Sequence, residues 1–177
     1  QPTRALIGGL LGRFGVTSTL LSIDDLDGLE RELAARPTRM VVLESPTNPV
    51  LKVADLARIT AAARRHGALT LLDNTLAGFH QHGQYDVDIF AHSLTKFASG
   101  HGDVMGGAII ARQELIDAMR DDVGHIGPTL DPHAAYLLMR GMKTYFVRRD
   151  AQCANAQRVA EFLQAHPAVE RVRFPGL

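Results

Sequence analysis

Apolar strands alternating with amphipathic helices predict an α/β fold built on a mainly parallel sheet. Two observations carry that reading. Short apolar runs, Met40–Leu43, Leu69–Asp73 and Val87–His92, are separated by segments with helical spacing of their apolar residues. Asp73 and Ser93 stand at the C-terminal ends of two of those runs, where parallel sheets bind their ligands.

Taken in order, residues 3–14 place Leu6, Ile7, Leu10, Leu11 and Phe14 on one helical face, and Gly15 is placed to end that helix. Val16 to Ile23 reads as a strand, rich in β-branched residues. Asp24 and Asp25 are caps for a helix through Leu26, Leu29 and Leu33, which Pro37 closes. After the strand Met40–Leu43 comes Glu44-Ser45-Pro46-Thr47-Asn48-Pro49, a loop stiffened by two prolines. Asp55 caps a helix with Leu56, Ile59 and Ala63 on one face, and Gly67 ends it. The strand Leu69–Asp73, a loop rich in His and Gly, and the strand Val87–His92 follow. Val104–Ala111 is expected as a strand and Gln113–Asp121 as a helix. Asp131-Pro132 is a cap and first-turn pair for a helix beginning near His133. A longer helix is expected over 144–165, stopped at Pro167, with a last strand at Val169–Phe174.

Composition narrows the class. Of 177 residues, 46% are hydrophobic and 21% charged, which is ordinary globular composition with enough chain for one cored domain. Nineteen basic side chains balance nineteen acidic ones, so no basic face is advertised for nucleic acid or membrane. No apolar run approaches the ~18 residues of a membrane span, and Gln1-Pro2-Thr3-Arg4 leads into an amphipathic segment rather than a signal peptide. The single Cys153 cannot form an internal disulfide, which favours a reducing, cytoplasmic location. The missing initiating methionine suggests a fragment or an upstream region.

The stretch richest in chemistry is Asp88-Ile89-Phe90-Ala91-His92-Ser93-Leu94-Thr95-Lys96-Phe97-Ala98-Ser99-Gly100. An apolar run ends in two hydroxyl residues and a lysine. Ser93 and Thr95 can donate to a phosphate, and Lys96 can form an imine with an aldehyde. Asp73 ends a second apolar run upstream. A lysine imine and a carboxylate facing a pyridinium nitrogen are the protein's main contributions to a pyridoxal phosphate site. His80, His82, His92 and His101 can also be weighed as metal ligands. There is no His-Glu-x-x-His helix and no cysteine pair, so no metal is expected.

Glu44-Ser45-Pro46-Thr47-Asn48-Pro49, Asp73-Asn74-Thr75, Ser93-Leu94-Thr95-Lys96, Gly100-His101-Gly102-Asp103-Val104-Met105-Gly106-Gly107 and Leu138-Met139-Arg140-Gly141-Met142-Lys143-Thr144 follow one another along the chain. In these motifs the sequence resembles the cystathionine γ-synthase-like enzymes of cysteine and methionine metabolism. The resemblance implies the type I pyridoxal phosphate-dependent transferase fold, with residues 1–165 as the central part of the large domain and 166–177 as the start of a small C-terminal domain. It implies Lys96 as catalytic residue and Asp73, Ser93, Thr95, Lys96 and Asn48 as cofactor contacts. It further implies an amino-acid substrate and a homotetramer, a dimer of dimers with shared sites. The phosphate of such enzymes also draws on upstream glycine-loop amides and on a neighbouring subunit's tyrosine and arginine, and the aromatic residue that stacks on the cofactor belongs just before Gln1. By resemblance Arg140 is structural, because the family's carboxylate-binding arginine comes later.

After Asp73-Asn74-Thr75 the family usually reads Phe-Ala-Thr-Pro, whereas this chain has Leu76-Ala77-Gly78-Phe79-His80. The expected activity is γ- or β-elimination, or γ-replacement, on cystathionine, activated homoserine or methionine. Two other readings compete. Ser93-x-x-Lys96 matches the S-x-x-K signature of penicillin-binding serine acyltransferases, but no Ser-Asp-Asn occurs and Lys143-Thr144 is followed by Tyr145. A catalytically incomplete, cofactor-poor assembly fragment is the third class.

Overall fold

The computed structural model describes residues 2–177, the side chain of Gln81 excepted. Helix α1 (Pro2–Ala5) runs on through a π-type turn (Leu6–Leu10) and a 3-10 turn (Leu11–Phe14). Gly15 ends this stretch at φ 81°, a left-handed conformation that costs glycine no steric penalty. Then follow α2 (Leu26–Ala35), β1 (Met40–Glu44), α3 (Leu56–Arg65), β2 (Leu69–Asp73), β3 (Ile89–Ser93), β4 (Gly107–Ala111), α4 (Gln113–Ile126), α5 (Pro132–Met142) and α6 (Tyr145–Gln164).

The strands lie in chain order, β1-β2-β3-β4. The first three are parallel and β4 is antiparallel to β3. Side chains alternate across a sheet. The register Leu43–Leu72–Phe90 therefore sets one apolar row on a single face. That row packs on Leu56 and Ile59 of α3, with Leu26 and Leu29 of α2 completing the cluster. A second cluster sets Leu33 of α2 against Ala62 and Ala63 of α3 and against Ala68. Among the described residues, no helix is long and apolar enough to cross a membrane.

The helix starts are set by aspartates. Asp25, Asp55 and Asp131 each accept backbone N–H bonds from the first turn they precede, from Gly28, Arg58, and His133 with Ala134, at 2.8 to 3.1 Å. A half-buried carboxylate, Asp88, joins the outer ends of β2 and β3 by accepting from the Thr70 N–H at 2.8 Å and its hydroxyl at 2.9 Å.

Two expected strands are absent. Residues 16–23 join no sheet, with Val16 and Leu20 well exposed, and only Ile23 reaches the core. Residues 169–174 likewise join no sheet. β-propensity needs a neighbouring strand to act on, and neither segment finds one. Two boundaries also move. β4 begins at Gly107 rather than Val104, since the segment before it is occupied in bonding the turn after β3, and α4 extends past Asp121 to Ile126 before Gly127 caps it.

Leu72 is 1% exposed at the centre of the main cluster. Leu72→Ala should cost about 2–5 kcal/mol of unfolding free energy in urea denaturation, the range for a leucine cavity.

Candidate active site

Asp73 is the last residue of β2 and Ser93 the last of β3. The strands are parallel neighbours with Asp73 level with Ala91, so period-2 alternation turns Asp73 and Ser93 to the same face, opposite the helices α2 and α3. Glu44 ends β1 at the level of Asp73. The loops leaving this carboxyl edge carry Asn48, Thr75, Thr95 and Lys96.

Thr75 ties two of these positions together. Its hydroxyl donates to Asp73 Oδ1 at 2.6 Å, its backbone N–H donates to the same oxygen at 3.0 Å, and its Oγ accepts from the Ser93 N–H at 2.8 Å. One side chain thus fixes the carboxylate and the backbone of the next strand end. Asp-x-Thr is a local turn pattern that sequence alone can suggest. The cross-strand bond to Ser93 is not legible there, because it depends on register.

Beyond Ser93 the chain turns sharply. Lys96 N–H donates to Ser93 O at 3.3 Å, Ser99 N–H to Leu94 O at 3.0 Å, and Gly100 N–H to Lys96 O at 2.9 Å. Leu94, Ala98 and Ser99 are buried while Lys96 is exposed, so the turn presents the lysine to its open side. Thr95 is partly engaged: its Oγ accepts from Gly106 N–H at 3.1 Å and reaches Gly106 O only at 3.5 Å. That long contact leaves its proton free to prefer a stronger acceptor. Asn48 is exposed, and its N–H donates to the Glu44 carboxylate at 3.2 Å.

The start of α6 braces these loops. Tyr145, 1% exposed, accepts the Phe79 N–H on its hydroxyl at 3.1 Å. A Cβ at Gly78 would fall 2.3 Å from that oxygen, and Gly78 sits at φ 87°. Asn74, 2% exposed, holds the same turn by donating its amide to Gly78 O at 2.7 Å. The departure Gly78-Phe79 is therefore built into the packing. Gly141 of the Arg140-Gly141-Met142-Lys143-Thr144 motif has the other close approach: a Cβ there would lie 2.3 Å from Ser99 O. Arg140 itself is exposed. Arg148 donates to Phe97 O at 3.1 Å and to Gly141 O at 2.8 Å, closing the turn around Lys96.

Of the histidines, His82 and His92 meet, Nε2 to Nε2 at 2.7 Å, so one ring donates and the other accepts. Phe79 stacks on His92 with ring centroids 4.4 Å apart. Burial pushes His92 down to about 4, His82 adds to the push, and Asp73 opposes it; burial also lowers His82. Among the described residues no three His, Cys, Asp or Glu side chains gather as metal ligands. Sequence reasoning scattered these histidines. The pairing follows from β3 placing His92 on the face where the loop after Phe79 returns.

Comparison with known proteins gives one consistent result. The model of the family described as Cys/Met metabolism PLP-dependent enzyme matches residues 1–177. L-methionine gamma-lyase of Pseudomonas putida is 41% identical over 94% of this chain and 43% of its own length. Cystathionine gamma-lyase from Lactobacillus plantarum, solved with L-serine, superposes with a TM-score of 0.88 at 36% identity, covering 99% of this chain and 46% of that one. A Campylobacter jejuni protein solved with N′-pyridoxyl-lysine-5′-monophosphate gives 0.89 at 30% identity, covering 99% and 52%. The chain spans less than half the length of the curated relatives it matches.

The neutral histidine pair makes folding acid-sensitive. With its native value about 4 against an ordinary 6.5, His92 binds its proton more readily in the unfolded chain. Its stabilising contribution is present above the ordinary value and lost as pH falls toward the native one. Denaturant titrations across that window should show the slope, and His92→Gln should flatten it; equal slopes in the two proteins would contradict the assignment.

Proposed function

The chain belongs to the Cys/Met metabolism PLP-dependent enzyme family, and from that premise we propose that it works as a lyase or transferase of sulfur amino acids. The reaction is γ- or β-elimination, or γ-replacement, on cystathionine, an activated homoserine or methionine. The observation that carries this reading is the pairing of strand ends: an anchored carboxylate, Asp73, and an exposed amine, Lys96, leave adjacent parallel strands at one edge, bridged by Thr75.

The donor set fits pyridoxal phosphate. Bound there, the cofactor would supply an aldehyde and an electron-withdrawing ring that stabilises negative charge on an amino acid's α-carbon. Lys96 Nζ would hold the cofactor's aldehyde and would serve as the base that moves the substrate's α-proton. Asp73 would offer its carboxylate to the cofactor's ring nitrogen, and Thr75 orients that carboxylate by two hydrogen bonds to one oxygen. Ser93 and Thr95 offer hydroxyls to phosphate. A phosphate near two negative charges needs more donors than these, which supports a site completed by further chain. Asn48, on the loop after β1, would contact the cofactor.

In this reading residues 1–165 are the central part of the large cofactor-binding domain and 166–177 open the small one; α6 ending at Gln164 supports that boundary. The working assembly is a cytoplasmic homotetramer. Exposed Phe146, Val147 and Phe162 along α6 support burial against further protein.

Borohydride reduction of the cofactor-loaded protein followed by peptide mapping tests the reading. The chain has three lysines, Lys52, Lys96 and Lys143, so the answer is unambiguous. The pyridoxyl group should map to Lys96, and Lys96→Ala should lose both the absorbance of the lysine-bound cofactor and turnover of methionine or cystathionine. Labelling at Lys52 or Lys143, or an active Lys96→Ala protein, would refute it.

A further inference from the structure

We propose that Arg149 is a positioning residue that straps the segment carrying Asp73 to the segment carrying Lys96. This rests on the site reading above. Arg149 is the fifth residue of α6 and half-buried. Its Nη2 donates to the carbonyl of Leu76 and reaches that of Ala77 at 3.5 Å, both in the turn that follows Asp73. The same guanidinium lies 4.5 Å over the ring of Phe97, the residue after Lys96. One planar cation thus uses its edge on one loop and its face on the other.

That double use needs arginine. Its fork of N–H donors and its flat, weakly hydrated face act at right angles, whereas a lysine ammonium is a point charge with no face. Arg148, one residue earlier, bonds Phe97 O, Ala98 O at 3.4 Å and Gly141 O, so it holds the Lys96 turn but not the Asp73 loop. Arg149 is the residue of this turn of α6 that spans both. Its Nε is buried and has no partner among the described residues, so it is held by what its other nitrogens and its face contact.

The two loops are already joined at the sheet by Thr75. Attachment at the sheet alone leaves the loops beyond it free to swing. A second attachment, in the loops themselves, fixes their angle and therefore the separation of the Asp73 carboxylate and the Lys96 amine. Arg149 acts through the loops.

The test uses the full-length protein loaded with pyridoxal phosphate, with Arg149→Met, which keeps apolar length over Phe97 but deletes the donors, and Arg149→Lys. Three quantities are read: cofactor release, the pH midpoint of the lysine-bound cofactor's absorbance, and hydrogen exchange of peptides spanning 74–79 and 96–100 in cofactor-free protein. Arg149→Met should speed release on the order of tenfold, the factor that losing charge-assisted bonds implies. It should also shift the pH midpoint and raise exchange in both peptides together, and Arg149→Lys should recover only part. A lowered melting temperature with release, midpoint and exchange as in wild type would overturn the proposal, reducing Arg149 to a packing residue. Should Arg149→Met fail to fold, Phe97→Leu, which removes only the stacking surface, is read the same way. A wild-type protein that traps no cofactor at Lys96 overturns the site reading and the positioning role with it. Trapping at Lys96 with unchanged Arg149→Met behaviour overturns the positioning role alone.

Discussion

The hydroxyl of Thr75 is the point on which the site depends. It donates to the Asp73 carboxylate and accepts from the Ser93 backbone, so its two capacities are spent across two strands. A carboxylate at a strand end is ordinarily free to rotate. Bound twice at one oxygen, it has a fixed direction, and the Ser93 N–H where β3 leaves the sheet donates to Thr75 Oγ. Electrostatic work at a reacting centre rewards groups that need not reorganise, and this contact provides that at the strand level.

The first turn of α6 provides it at the loop level. Tyr145, Arg148 and Arg149 bond or stack against residues 76–79 and 97–98, and Gly141 lets the preceding helix approach Ser99 closely enough for the turn to close. The same helix also exposes Val147, Val159 and Phe162. One element therefore combines a first turn packed on the candidate site with exposed apolar side chains further along.

Acid sensitivity comes from the opposite face of the sheet. Alternation sends Ser93 to the site face and His92 to the core side, where it meets His82 and Phe79. The pair is neutral because burial disfavours its charge, and Asp73 only partly offsets that. Neighbouring residues of one strand thus face the candidate site and the core separately.

Local chemistry alone determined much here. The aspartate caps at Asp25, Asp55 and Asp131, the strand Leu69–Asp73 and the long helix after Thr144 all follow from propensity and capping, and the family from its spaced motifs. Tertiary structure decided the rest. Residues 16–23 and 169–174 have strand character but no partner strand, so their backbone stays out of the sheet. Thr75 meeting Ser93, His82 meeting His92, and Arg149 reaching Leu76 and Phe97 join residues far apart in the chain. Such contacts are set by register and by where a helix docks, and a linear pattern with a period of two or 3.6 residues carries neither.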